Sequence, residues 1–181
     1  MVENKAFSEN VERTKNYYDG ISKGYKNLYH EEQISKLNYV LEFLPKSGKI
    51  LDAGCGDGVL NQFINPNCEL FSFDLSCELL KLNSNIDSHK FCGSLTDLSV
   101  FSDNYFDFIS CFSVVQDIDD VEKVFSEFSR VLVKNGMMNL SFVKFSSKRE
   151  RIIKLINKYF DIIEEFEETK DLIFVLKNIK E

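Results

Sequence analysis

The 181-residue chain has two prolines, no CxxC pair and no apolar run near 18 residues, and each shortage removes a class of protein. Few prolines beside 44% hydrophobic residues exclude a disordered or low-complexity chain. Without a long apolar run or a leader-type N-terminus, the expectation is a soluble, cytoplasmic protein that neither crosses nor binds a membrane. The five cysteines, Cys55, Cys68, Cys77, Cys92 and Cys111, are odd in number. They predict reduced thiols, with neither a disulfide frame nor a metal site. No internal repeat or linker divides the chain, and its length suits one domain over 1–181 with a full core.

The net charge of −7 is uneven: residues 47–142 hold 14 acids and 6 bases, while the flanks are near neutral. Such a body argues against strong unaided binding to nucleic acid, whose affinity rests on neutralised phosphates. No DNA partner is expected, and a local basic patch or a basic partner protein remains open.

From Ile50 onward, short apolar runs alternate with helix-like segments, the pattern of a parallel α/β fold. "KILDAG", "ELFSFDLS", "HKFCG", "YFDFISCFSVV" and "MMNLSFV" read as five strands. "NQFI" reads as part of the helix after strand one, and "SCELLKLNS" as the next. A further helix carries Val121, Val124, Phe125, Phe128, Val131 and Leu132 at spacings of three and four, with Asp119 and Asp120 at its start and Gly136 as its end. "SKRERIIKLINKYF" is amphipathic. "DIIEEFEE" and "DLIFVLKNI" follow without a helix between them, which predicts an antiparallel hairpin turning at Thr169 and Lys170. The first 45 residues read as two amphipathic helices, "NVERTKNYYDGISKGY" and "EEQISKLNYVLEFL", the second stopped by Pro45.

The informative stretch is "ILDAGCGDGVL", with Asp52 ahead of Gly54, Gly56 and Gly58. At a strand-to-helix turn, such glycines let the backbone bend sharply and a ligand approach closely. Val59 stands where the dinucleotide fingerprint needs its third glycine, and no Gly-Lys-Ser/Thr follows for a P-loop. Asp52 would repel a pyrophosphate but would pair with an ammonium group, while backbone N–H groups receive a carboxylate. Asp74, 22 residues on and at the end of strand two, is placed to receive two ribose hydroxyls. Its alternative role is to cap the helix near Ser76. An amino acid joined to a ribose points to S-adenosylmethionine.

These segments resemble the class I S-adenosylmethionine-dependent methyltransferases of the small methyltransferase-11/25 type. The likeness covers Ile50 to Val143 and is weaker in both flanks. It implies a Rossmann-like seven-stranded sheet in order 3-2-1-4-5-7-6 with strand seven antiparallel and helices on both faces. Residues 46–181 would form this core and 1–45 would cover the cofactor site. It also implies backbone contacts to the methionine moiety from Gly54, Cys55 and Gly56, with Asp74 on the ribose and Leu75 on the adenine. Where the family often has Gly-Asp, this chain has Gly93-Ser94, so backbone of Ser94 and Leu95, or the Asp97 side chain, would serve. Cys111 and Phe112 would line the methionine side. Tyr18 and Tyr25, seven apart on one helix face, would close over the cofactor, where aromatic faces suit a sulfonium, or would be core aromatics.

Methyl transfer requires alignment and water exclusion more than covalent help. Asp117, Asp119 and Asp120 are base candidates that also read as helix N-terminal acids. His30 and His89 read as ordinary histidines, and no catalytic base is assigned. The "SCFSVVQD" stretch lacks the Asn/Asp-Pro-Pro-aromatic turn resembling amino-group methyltransferases of adenine and glutamine, and the paired cysteines of C5-pyrimidine chemistry are missing. The acceptor is therefore a small molecule or RNA. Lys144, Lys148, Arg149, Arg151, Lys154 and Lys158 form either an RNA surface or a solvated helix face. "SVVQ" faintly resembles RNA methyltransferases that work with a small activator subunit, which would cover strand three. The alternative is a non-catalytic S-adenosylmethionine-binding module.

Overall fold

The structure is a computed structural model. It describes residues 9–179 except Ile86, with the side chains of Lys26 and Asn27 also left aside. The elements run α1 (Glu9–Asn38), β1 (Gly48–Ala53), β2 (Cys68–Asp74), α2 (Cys77–Leu82), β3 (His89–Cys92), β4 (Phe106–Phe112), α3 (Val121–Val131), β5 (Leu132–Val143), α4 (Arg149–Tyr159), β6 (Phe160–Glu167) and β7 (Asp171–Asn178). The seven strands form one sheet in the order β3-β2-β1-β4-β5-β7-β6. β7 runs antiparallel to both its neighbours, while the other pairings are parallel. This is the expected Rossmann-like architecture, terminal hairpin included.

Strand parity divides the core between two faces. Leu51, Ala53, Ile109, Cys111, Met138 and Leu140 pack with Val124, Phe125 and Phe128 of α3 and Ile152 and Ile156 of α4. Ile50, Leu70, Phe108, Ile173 and Val175 pack on the opposite face with Leu37 and Val40 at the end of α1. α3 is positioned by its cap, since the Asp120 side chain accepts from the Lys123 N–H at 3.2 Å and satisfies one of the donors left free at a helix start.

Four local expectations are corrected. The N-terminal region is one 30-residue helix followed by a 3-10 turn at Leu41–Phe43, because Gly20 and Gly24 weaken a helix by only about 0.5–1 kcal/mol each and no proline interrupts it before Pro45. Only Asn61 and Gln62 of "NQFI" are helical, in a single 3-10 turn over Val59–Gln62, since left-handed Gly58 and nearby Pro66 leave too little chain for a helix. α3 ends at Val131, and β5 begins at once. Asn135 (φ 62°) and Gly136 instead lie where the β4–β5 register jumps from Phe106↔Leu132 to Phe108↔Met137, which is a bulge.

The fourth correction concerns the thiols. Cys77 and Cys92 form a disulfide, with Cα atoms 5.4 Å apart. The parallel β2–β3 register sets Cys92 beside Asp74, three residues before Cys77, and so brings the pair within reach. Cys55, Cys68 and Cys111 are free.

Candidate active site

β1 and β2 end side by side, with Asp52 paired to Ser72 and Ala53 to Phe73, so the glycine loop and Asp74 meet at one edge of the sheet. Gly54, Gly56 and Gly58 have φ of 77°, 55° and 86°, a region that L side chains rarely enter. The loop is fastened to β2. The N–H groups of Gly54 and Cys55 donate to the Phe73 carbonyl at 2.8 and 3.1 Å, and that of Gly56 donates to Asp74 Oδ2 at 2.8 Å. Asp74 Oδ1 accepts from the Ser76 N–H at 2.7 Å. The capping role weighed for Asp74 falls instead to Ser76, which caps α2 by accepting from the Leu79 N–H. Each Asp74 oxygen keeps a lone pair for a hydroxyl.

A cavity of about 470 Å³ opens beside this junction, within the size range of small-molecule sites. One end is walled by Asp74, Leu75, Gly93, Ser94, Leu95 and Thr96, the middle by Gly54, Phe112 and Val114, and the far end by Tyr18, Tyr29, Gln116 and Asp117. α1 forms the cover: Tyr18, Tyr25 and Tyr29 line one stripe, with ring centroids 6.4 and 4.9 Å apart in succession. Three polar contacts close α1 down, from Asn10 to Asp119, from Tyr18 to Asp117 at 3.2 Å, and between Asp19 and Ser76. Burial, then the Asp117 charge, pushes the Tyr18 phenol above its ordinary range.

Beneath the loop lies a smaller hollow of about 40 Å³, lined by Asp52, Cys55, Ser110, Phe112 and Tyr25 among others. Asp52, Ser110 and Asn139 share one row across β1, β4 and β5. Asp52 Oδ2, Ser110 Oγ and both Asn139 side-chain polar atoms have no partner among the described residues. Burial, reinforced by Asp74 and Asp57, pushes the Asp52 carboxyl up to about 8. Burial likewise raises Asp74 to about 6, against the N–H bonds from Ser76 and Gly56. An unpaired, buried carboxyl under the loop is suited to a cationic ligand group, which is the chemistry of an amino-acid ammonium.

Of the predicted residues, Tyr18, Tyr25, Gly54, Asp74, Leu75, Ser94, Leu95 and Phe112 line the large cavity, and Asp52 and Cys55 the small one. Gly56 lies outside both linings, under the Tyr25 ring. Cys111 is fully buried in the core of the other face, because Phe112 points to the cavity and strand neighbours point oppositely. Asp120 caps α3, whereas Asp117 faces Tyr18. Tyr29, Gln116 and Ser113 were missed. Tyr29 had a signal, four residues after Tyr25 on the same helix face. Among the described residues no group of three or more His, Cys, Asp or Glu is placed to hold a metal, and no helix is long and apolar enough to cross a membrane.

The sheet order, the acid–glycine loop and the carboxylate on the adjacent strand are those of a class I methyltransferase domain, the kind of domain that takes S-adenosylmethionine as cofactor. Residues 51–140 match the methyltransferase domain family Methyltransf_11. The chain is 27% identical over 114 residues to the ubiquinone biosynthesis O-methyltransferase of Xanthomonas oryzae, covering 59% of this chain and 48% of that protein. It thus spans about half the length of the curated relatives it matches. Its fold is similar to that of the N-methyltransferase NodS of Bradyrhizobium japonicum, determined with S-adenosyl-L-homocysteine (TM-score 0.76, 13% identity, 95% of this chain and 100% of that one). It is also similar to a chain in the complex of the Haloferax volcanii Trm112 methyltransferase activator with a methyltransferase (TM-score 0.73, 14% identity, 90% and 98%).

Proposed function

We propose that this chain transfers a methyl group from S-adenosylmethionine to an acceptor that enters at the Tyr18–Asp117 end of the cavity. The carrying observation is that one continuous cavity joins Asp74, Gly54 and Asp117, so cofactor-type and acceptor-type residues face the same space. When bound, S-adenosylmethionine supplies an electrophilic methyl group for in-line displacement. Asp74 would hold the ribose hydroxyls, Leu75 and Leu95 would pack on the adenine, and Asp52 with the Gly54 carbonyl would face the ammonium. Tyr18 and Tyr25 would exclude water and align the acceptor, the main contribution a protein makes to such a transfer.

A small-molecule acceptor is favoured over RNA by the fate of the basic run. Lys144 is paired with Glu167 at 2.8 Å, Lys158 with Glu122 at 2.6 Å, and Lys148 reaches Asp119 at 3.6 Å, which leaves less charge for phosphates. A second reading, action with a small activator subunit, is supported by the fold shared with the chain from the Trm112 complex and by β3, an edge strand that a partner's strand can extend. Methyl-labelled S-adenosylmethionine, purified protein and its own cell extract, divided into RNA, protein and small-molecule fractions, test both. Label in the small-molecule fraction supports the first reading. Label that enters only after a partner protein is added supports the second, and label in RNA or protein with the protein alone contradicts the preference.

A further inference from the structure

We propose that the acceptor is a small amine, bound as an ammonium ion in the tyrosine-walled end of the cavity and methylated on nitrogen, with Asp117 receiving its proton. The inference rests on the methyl-transfer reading above and narrows its acceptor.

The first observation is the hydrogen-bond inventory beyond Phe112. Asp117 Oδ2 accepts from the Tyr18 hydroxyl at 3.2 Å and from Gln116 Nε2 at 3.3 Å, so the carboxylate is oriented while Oδ1 accepts from no described residue. The Gln116 amide is fixed too. Its nitrogen donates to the Ser113 carbonyl at 2.7 Å as well as to Asp117, and both of those partners only accept. The Gln116 carbonyl oxygen is therefore the remaining atom, and it is buried without a partner. Two acceptors side by side call for a ligand with several N–H donors, which an ammonium supplies and a carboxylate or phosphate does not.

Charge and shape agree. Among the described lining residues the one base is Lys123, against Glu32, Asp74, Asp117, Asp119 and Asp120. Glu32 is already neutralised by Lys36 and Lys170. Lys148, the other base close to Asp117, donates to the Ile118 carbonyl at 2.9 Å and reaches Asp119. Asp119 is paired with Lys148 and also faces Arg13, so the charge an acceptor meets beside the tyrosines is that of Asp117, which disfavours an anion. Tyr18, Tyr25 and Tyr29 line the same space, and aromatic rings attract a cation. Asp117 is exposed on one side, and partial desolvation raises its proton affinity against the bonds from Tyr18 and Gln116, so it can take a proton and pass it to solvent.

The step balances as follows. The ammonium gives one proton to the Asp117 carboxylate, which passes it to solvent at the open side of the cavity. The freed nitrogen lone pair forms the new C–N bond as the methyl–sulfur bond breaks, and sulfur keeps that electron pair as a neutral thioether. The product leaves as a methylated ammonium.

The test has two readouts. Phenethylamine, 2-phenylethanol, 4-methylphenol and 3-phenylpropionate are titrated calorimetrically onto the protein saturated with S-adenosylhomocysteine, where no turnover occurs. The same four compounds, and the small-molecule and RNA fractions of the cell extract, are then incubated with methyl-labelled S-adenosylmethionine and their products resolved from it by mass. The amine should bind at least tenfold more tightly than the other three, and label should enter amines alone. Asp117→Asn should lower turnover about 10²- to 10⁴-fold and weaken amine binding, with S-adenosylhomocysteine affinity unchanged. Label in a phenol, a carboxylate or RNA, no label in any fraction, equal binding of amine and alcohol, or full turnover in Asp117→Asn would each overturn the inference. Failure to bind S-adenosylhomocysteine would instead remove the methyl-transfer reading beneath it.

Discussion

The Tyr25 ring rests directly on Gly56: a Cβ at this glycine would lie 3.0 Å from both Cε1 and Oη of Tyr25. The contact couples the cover helix to the glycine loop, so the conformation of one limits the other. Gly56→Ala should displace the ring and also strain a backbone at φ 55°, which costs an L residue about 1–2 kcal/mol. Thermal unfolding should shift down and S-adenosylhomocysteine should bind more weakly. Unchanged affinity in a destabilised variant would show that Tyr25 does not cover the cofactor.

Asp52 makes cofactor binding pH-dependent. Its carboxyl lies near 8 in the folded protein against 3.8 ordinarily, so between these values the folded chain holds a proton that the unfolded chain has released. Stability of the unliganded protein should therefore fall as pH rises from about 4 to about 8, and Asp52→Asn should flatten that slope. An ammonium beside Asp52 favours the carboxylate, so binding at pH 7 should release about one proton and affinity should rise toward pH 8. Calorimetry in two buffers of different ionisation enthalpy measures this; zero protons released would show that Asp52 does not meet the ammonium.

Lys36 is fully buried and bonds Asp171 at 2.9 Å, Glu32 at 2.7 Å and Ser113 Oγ at 2.6 Å. Ser113 and Ser141 also donate to Asp171 Oδ2. This network ties α1 to the ends of β4, β5 and β7 behind the acceptor end of the cavity. Lys36→Ala leaves the Asp171 carboxylate buried without its cation and should cost about 3–5 kcal/mol. Lys36→Met with Asp171→Asn should recover most of that loss. Urea unfolding of the three proteins checks it, and an undiminished loss in the double variant would contradict the charge argument.

The Cys77–Cys92 bridge joins residues 15 apart in sequence, a closed loop worth about 3 kcal/mol. Cys92→Ser, or reduction of the wild type, should lower the melting temperature by about 6–12 °C for a chain of this size. A variant that melts with the oxidised wild type would show that the bridge adds no stability.

The sheet and the meeting of the glycine loop with Asp74 at one end of the cavity were legible because their signals are local. Asp52, the glycines and Asp74 lie at strand ends that alternation alone marks, and the terminal hairpin shows as two strand-like runs with no helix between. The misreadings arose where tertiary geometry decides. The disulfide depends on the β2–β3 register, which no spacing reveals. Cys111 was paired with Phe112 although adjacent strand residues face opposite ways. Gly136 resembles a helix stop because a bulge and a helix end share a residue at positive φ, here its neighbour Asn135 at 62°. Gln116 and Ser113 join the site only through a turn after β4 in which Ser113 takes φ 58°.

The central claim, that the Asp74–glycine-loop cavity holds S-adenosylmethionine, is tested most directly by calorimetric titration of S-adenosylhomocysteine into the wild type and Asp74→Ala in parallel. The account predicts one site per chain and binding about 10- to 100-fold weaker in the variant, since charge-assisted hydrogen bonds of roughly 1.5–3 kcal/mol are removed. Equal affinity in the two proteins, with the variant still folded, would show that Asp74 only fastens the Gly56 loop and that the ribose is held elsewhere.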